Sequence, residues 1–195
     1  MTKPLLLSLL GILTVTPTFA TELLQNPGFE SGQLSPWYIG REYCGHGCVD
    51  WHVDTQNPHS GTYDVAGDGL IELRQDFTPT SGSSISNVSF WVITGINNVG
   101  LIDFFYTDNT DEEFYYSASD RQWTLVNATS DVDKSKVLMG FSVWGYSFPV
   151  RQDAPTGDYF YDDFDITATP EPGSLVLLGT GLLGLGGVVR RKLSL

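Results

Sequence analysis

From about residue 50 to residue 166, short runs rich in Val, Ile, Phe, Tyr and Trp alternate with clusters of Gly, Asn, Asp, Ser and Pro, and apolar positions at helical spacing are hard to find. Side chains two apart share one face of a strand, so a run that alternates predicts a ribbon with one face buried. The pattern predicts strands over 50–54, 70–77, 86–94, 101–107, 113–117, 123–128, 137–144 and 159–166. In 70–77, Ile71, Leu73, Gln75 and Phe77 face away from Leu70, Glu72, Arg74 and Asp76. In 86–94, Val88, Phe90, Val92 and Thr94 share one face, and Trp91 and Ile93 the other. Asp108 to Asp111 reads as the turn of a hairpin. Strands at this spacing, separated by turns, predict an all-β, two-sheet antiparallel sandwich or jelly roll.

The two ends carry different patterns. Residues 1–20 read as a secretory signal peptide: Lys3, an apolar stretch from Leu5 to Val15, then Thr18-Phe19-Ala20 as a small-residue cleavage site. Near the other end, Pro170-Glu171-Pro172 is stiff and non-helical, because proline lacks an N–H and holds its predecessor extended. An uncharged, glycine-rich run from Gly173 to Val189 follows, and Arg190-Arg191-Lys192 closes it. As a helix that run would span roughly 25 Å, a marginal transmembrane length, with the basic cluster on the cytoplasmic side. This order of parts resembles the PEP-CTERM sorting signal. The resemblance implies processing by an exosortase and passage through the inner membrane of a Gram-negative bacterium. It also implies delivery to the envelope, the cell surface or a biofilm matrix. The expected division is therefore 1–20 signal, 21–168 β-sandwich and 169–195 sorting signal.

Charge narrows the partners. The chain holds 10 Lys and Arg against 23 Asp and Glu. Four of the basic residues and Glu171 lie in the two ends, which leaves six basic against 22 acidic residues between them, a net charge of −16. Such a surface repels nucleic-acid phosphates, so nucleic acid is not an expected partner, while calcium suits carboxylate oxygens. The two cysteines, Cys44 and Cys48, sit in Tyr-Cys-Gly-His-Gly-Cys. An exported chain favours a disulfide closing this short loop, and Cys44, His46, Cys48 and His52 form the competing zinc set. No phosphate-binding glycine loop, nucleophile elbow or helical zinc motif occurs, so an enzyme is not expected. Glu112 and Glu113 read as a solvated hairpin tip rather than an acid–base pair.

Four stretches in order resemble the galactose-binding-like jelly roll of many carbohydrate-binding modules. They are Leu24-Gln25-Asn26-Pro27-Gly28-Phe29-Glu30 with Pro36-Trp37, His59-Ser60-Gly61-Thr62-Tyr63, Arg121-Gln122-Trp123-Thr124, and Tyr161-Asp162-Asp163-Phe164-Asp165-Ile166. The resemblance implies adjacent first and last strands, and a structural calcium ion held by Glu30 with Asp162 or Asp163 and main-chain oxygens near Ser60 to Tyr63. It places Trp37 and Trp123 in the core. It also implies a saccharide site built on aromatic faces, for which Trp51, Trp91, Tyr106, Tyr115 and Trp144 are the candidates. A non-catalytic module binding matrix or envelope polysaccharide is the expected function. A structural or adhesion protein without a sugar site is the alternative, since fold alone does not fix function.

Overall fold

The computed structural model describes residues 19–42, 49–68, 70–94, 99–119, 121–145, 158–169, 179 and 181–183. They form eleven strands: β1 Thr21–Glu22, β2 Tyr38–Glu42, β3 His52–Asp54, β4 Asp64–Asp68, β5 Ile71–Ser81, β6 Ile85–Ile93, β7 Val99–Tyr106, β8 Asp111–Ser117, β9 Thr124–Asn127, β10 Val137–Gly145 and β11 Asp158–Ala168. One sheet runs β3-β4-β11-β6-β9, with β1 also paired to β11, and the other runs β2-β5-β10-β7-β8. Every pairing is antiparallel. This is the expected two-sheet jelly roll. All eight expected strands are present, with ends shifted by a few residues, and β1, β2 and β4 are additions.

Alternation explains the core. Val88, Phe90 and Val92 of β6 face Ile102 and Phe104 of β7, Phe141 and Val143 of β10, and Ile71 and Leu73 of β5 across the sandwich, all closed to solvent. Residues between them on each strand point away. The final strand breaks this rhythm once. Tyr161 points inward, and strict alternation would then send Asp163 and Asp165 into the core. A bulge prevents it: Asp162 pairs with Trp91 but Asp165 pairs with Ser89, so Asp163 and Phe164 together oppose one residue of β6. Asp163 takes a left-handed conformation, φ 48°, which Asp tolerates better than most residues. The phase is reset, and Phe164 and Ile166 enter the core. Phe164 then packs on Trp37 at 4.6 Å, Phe90 at 5.3 Å and Phe141 at 5.9 Å between ring centroids.

One expectation about the strands needs correction. Glu112 and Glu113 lie within β8 rather than at the hairpin tip, and Glu112 binds Lys136 at 2.7 Å. Tyr106 NH bonds Thr110 O, so the turn closes at Thr110 and Asp111 begins the return strand. Of the tail expected to form a membrane helix, only Gly179 and residues 181–183 are described; they are helical, and no helix among the described residues is long and apolar enough to cross a membrane. Residues 1–18, Cys44 and Cys48, Pro170, Glu171 and Pro172, and Arg190, Arg191 and Lys192 lie outside the described residues.

Candidate functional site

Two regions gather polar groups. The first is the corner where the chain's opening and closing segments meet. Thr21 and Glu22 of β1 pair with Ala168 and Thr167 of β11. The turn 59–63 is clasped from two sides. Asp162 Oδ2 accepts the N–H groups of His59 and Ser60 at 2.9 and 3.1 Å, and its Oδ1 accepts the N–H of Asp163 at 2.7 Å. Asp163 Oδ2 lies 2.7 Å from His59 Nδ1, and its Oδ1 accepts the Ser60 hydroxyl at 2.8 Å. Glu30 Oε1 accepts the N–H groups of Thr62 and Tyr63 at 2.9 and 3.0 Å. Gly61, at φ 63°, lies so close to the Glu30 carboxylate that any side chain there would collide with it. Burial and the neighbouring charge of Asp163 outweigh these N–H groups and raise the Asp162 carboxyl to about 6.

The three carboxylates nominated for calcium thus hold one turn together. Their oxygens point at N–H and O–H donors, and among the described residues no three His, Cys, Asp or Glu side chains form a group able to hold a metal ion. Trp91 belongs to this corner: His59 stacks on it at 3.9 Å and 17°, and Trp123 meets His59 edge-on at 5.5 Å. Trp123 is therefore half-buried at the surface, not in the core as expected, whereas Trp37 is core.

The second region is the outward face of the five-stranded sheet. Register places Tyr38, Arg74, Ser142, Asp103 and Glu113 in one row across β2, β5, β10, β7 and β8. Trp144, Leu101 and Tyr115 form a flanking row, and Asp76, Gly140, Phe105 and Asp111 the other. A groove of about 450 Å³ opens here, lined by Tyr38, Arg41, Glu72, Arg74, Phe105 and Asp111 among others. The Arg41 guanidinium reaches Asp103 Oδ2 at 3.0 Å, Glu72 Oε2 at 3.5 Å and Asp111 Oδ2 at 3.6 Å. Its backbone N–H also donates to Glu72 Oε2 at 2.7 Å. Gly40 leaves room for the Glu72 carboxylate, which a side chain there would displace. Arg74 lies 3.6 Å from the Phe105 ring centroid and pairs with Asp76 at 2.8 Å, and the Tyr38 hydroxyl donates to Asp76 Oδ2.

Beneath the groove, Asp103 Oδ2 accepts the Trp144 indole N–H at 2.9 Å. Asp103 is fully buried and its carboxyl is raised to about 7: burial and the charges of Glu113 and Glu72 exceed the opposing pull of Trp144 and Arg41. Glu72 Oε1, Asp103 Oδ1 and Ser142 Oγ are buried without a hydrogen-bond partner among the described residues.

The five saccharide candidates separate by depth. Trp51 is core: its indole donates to Ile71 O at 2.8 Å and its ring packs on Tyr161 at 5.3 Å. Tyr106 points inward and is fixed by Glu112 and by the Asp133 N–H, touching only the groove margin. Trp91 lies on the other sheet under His59. Trp144 and Tyr115 share the groove face, Trp144 nearly covered and Tyr115 64% exposed. Tyr38, Arg41, Glu72, Arg74 and Phe105 were not anticipated as site residues. The alternation of 70–77, which placed Glu72 and Arg74 on one outward face, was the available signal for two of them.

Residues 168–192 match the PEP-CTERM protein-sorting motif. The structure superposes on the CBM22-2 xylan-binding domain from Paenibacillus barcinonensis Xyn10C with a TM-score of 0.51 and 16% identity, over 73% of this chain and 98% of that one. It superposes on the CBM22-1 xylan-binding domain of the same protein with a TM-score of 0.51 and 11% identity, over 79% and 97%. A family 16 carbohydrate-binding module gives 0.50 and 13% identity, over 74% and 98%. At such identities the likeness carries the fold. No curated protein matches the chain.

Proposed function

We propose that this is an exported, exosortase-sorted, non-catalytic protein of the cell surface or extracellular matrix whose jelly-roll domain binds carbohydrate on the outward face of its five-stranded sheet. The observation that carries the reading is the groove: a concave face with aromatic rings at Tyr38 and Phe105 set among fixed polar groups from Arg41, Glu72 and Arg74. Sugars present C–H faces to aromatic rings and hydroxyls to oriented polar groups, so this mixture suits a saccharide better than an apolar ligand. The sorting motif at 168–192 and the shared fold of carbohydrate-binding modules support it.

A glycan array probed with the full chain tests the reading. Binding that Tyr38→Ala and Tyr115→Ala weaken is expected. Silence across neutral, amino and acidic glycans overturns it and favours the structural or adhesion role. Mass spectrometry of the mature protein addresses sorting: loss of the tail beyond Pro170-Glu171-Pro172 is expected, and an intact Leu195 end contradicts it.

Calcium at the corner is a second proposal. It is supported by three carboxylates around one turn, with Glu30, Asp162 and Asp163 all near Gly28. The donors those oxygens already accept weigh against it. A rise in melting temperature with calcium, reversed by a chelator, is the result that sustains it. A disulfide between Cys44 and Cys48 is likewise proposed, and non-reducing peptide mapping checks it.

A further inference from the structure

The groove face has an unbalanced polar inventory. Two of the domain's six basic residues, Arg41 and Arg74, are on it, and both are already neutralised: Arg41 by Glu72, Asp103 and Asp111, Arg74 by Asp76. Each guanidinium also lies over a ring, Arg41 5.1 Å from Trp144 and Arg74 3.6 Å from Phe105. Against these two cations stand Glu72, Asp76, Asp111 and Glu113, with the buried Asp103 beneath them. An incoming carboxylate or sulfate would find each arginine's charge already compensated and an excess of like charge around it.

What the face lacks is a donor. Glu72 lines the groove with only 1% of its surface exposed, and its Oε1 has no partner among the described residues. Asp103 Oδ1 on β7 and Ser142 Oγ on β10, buried beneath the same face, also have no partner among the described residues. A buried carboxylate oxygen left open costs a large share of its hydration, and the group that best restores it is a charged N–H donor. An ammonium offers three donors and one positive charge. A neutral hydroxyl offers one donor and no charge.

We propose, resting on the carbohydrate-binding reading above, that the groove selects a glycan bearing free amino groups, with the ammonium of an amino sugar seated against Glu72. Burial first, and then the charges of Glu113 and Glu72, raise the carboxyl of Asp103 beneath the groove. Acetylation of the amine removes the charge and two of the three donors, so the acetylated sugar is disfavoured at the same contact.

Calorimetric titration of the full chain tests this with four short oligosaccharides of matched length: glucosamine, N-acetylglucosamine, xylose and an acidic uronate. The experiment is run at about pH 6, where an amino group is protonated. Glucosamine oligomers are expected to bind roughly tenfold or more tightly than their acetylated counterparts, with the uronate weakest. Glu72→Gln keeps the side chain's shape and is expected to abolish that preference. Asp131→Asn, remote from the groove, is expected to leave it unchanged, which separates a specific contact from general attraction of a cation to an acidic protein. Equal or weaker binding of the free amine, or a preference that survives Glu72→Gln, overturns the proposal and leaves carbohydrate binding standing. No binding by any of the four overturns both.

Discussion

The corner where the opening segment of the described domain meets its last strand and the outward face of the five-stranded sheet are both built on carboxylates, and they are completed differently. At the corner Asp162 accepts three backbone N–H groups, Glu30 two, and Asp163 both a hydroxyl and the His59 ring. The chain itself supplies the donors. On the face, Glu72 and Asp103 each have one oxygen held by Arg41 and one oxygen with no partner among the described residues. Buried polar groups are nearly always paired, so a set completed from within reads as a fastening and a set left incomplete reads as a receptor.

The comparison breaks most readily at the fastening. Asp162→Ala leaves three N–H groups without their acceptor and releases the turn from the last strand, so a loss of about 4 kcal/mol in denaturant unfolding is expected. A loss under about 1 kcal/mol would mean the corner is not what closes the sandwich.

Acidity sharpens the comparison next. Asp64, beside the corner, is closed to solvent with both oxygens unpartnered among the described residues, and burial with the charges of Asp54 and Asp162 raises it to about 6. Asp162 is also raised to about 6 and Asp103 to about 7, all from an ordinary value of 3.8. A carboxyl whose folded pKa exceeds its unfolded one binds its proton more tightly when folded. Its contribution is therefore complete below about pH 4 and is lost as pH rises through 6 to 7. For Asp64 alone the loss amounts to at most about 3 kcal/mol, because each tenfold gain in proton affinity on folding is worth roughly 1.4 kcal/mol. Unfolding measured from about pH 5 to pH 8 is expected to show falling stability, and Asp103→Asn is expected to remove the part of the fall nearest pH 7. Stability that rises over this window contradicts the assignment.

The smallest stability effect belongs to the face. Tyr38 and Tyr115 are 39% and 64% exposed, and replacing either with Ala is expected to change stability by less than about 0.5 kcal/mol. The same substitutions are expected to weaken glycan binding severalfold to tenfold in calorimetry. Large destabilisation without loss of binding would reverse the roles of the two regions.

The strands were legible wherever an apolar alternation ran for several residues, as in β5, β6, β7 and β10. β2 was not, because all five of its residues are exposed and Gly40 carries no side chain. β4 hid behind Asp64 and Gly67, residues that ordinarily signal a turn. The bulge left a trace in the three-residue step from Tyr161 to Phe164, where strict alternation would step by two. The corner residues were legible through likeness to a known jelly roll, while their donors were not. The face was hidden for a topological reason: Arg41, Glu72 and Asp103 are brought together only by the register of β2, β5, β10 and β7. Aromatic identity was no guide to depth, since Trp51 serves the core and Tyr115 the surface, while Trp144 on the same face as Tyr115 is nearly covered.

The most direct test is a two-dimensional NMR titration of the isotopically labelled protein with a bound oligosaccharide, observing the side-chain N–H signals. The Nε–H signals of Arg41 and Arg74 and the indole N–H of Trp144 are expected to shift, while those of Trp37, Trp91 and Trp123 stay in place. Shifts confined to Trp91, Trp123 and the His59 turn would place binding at the corner and contradict the account.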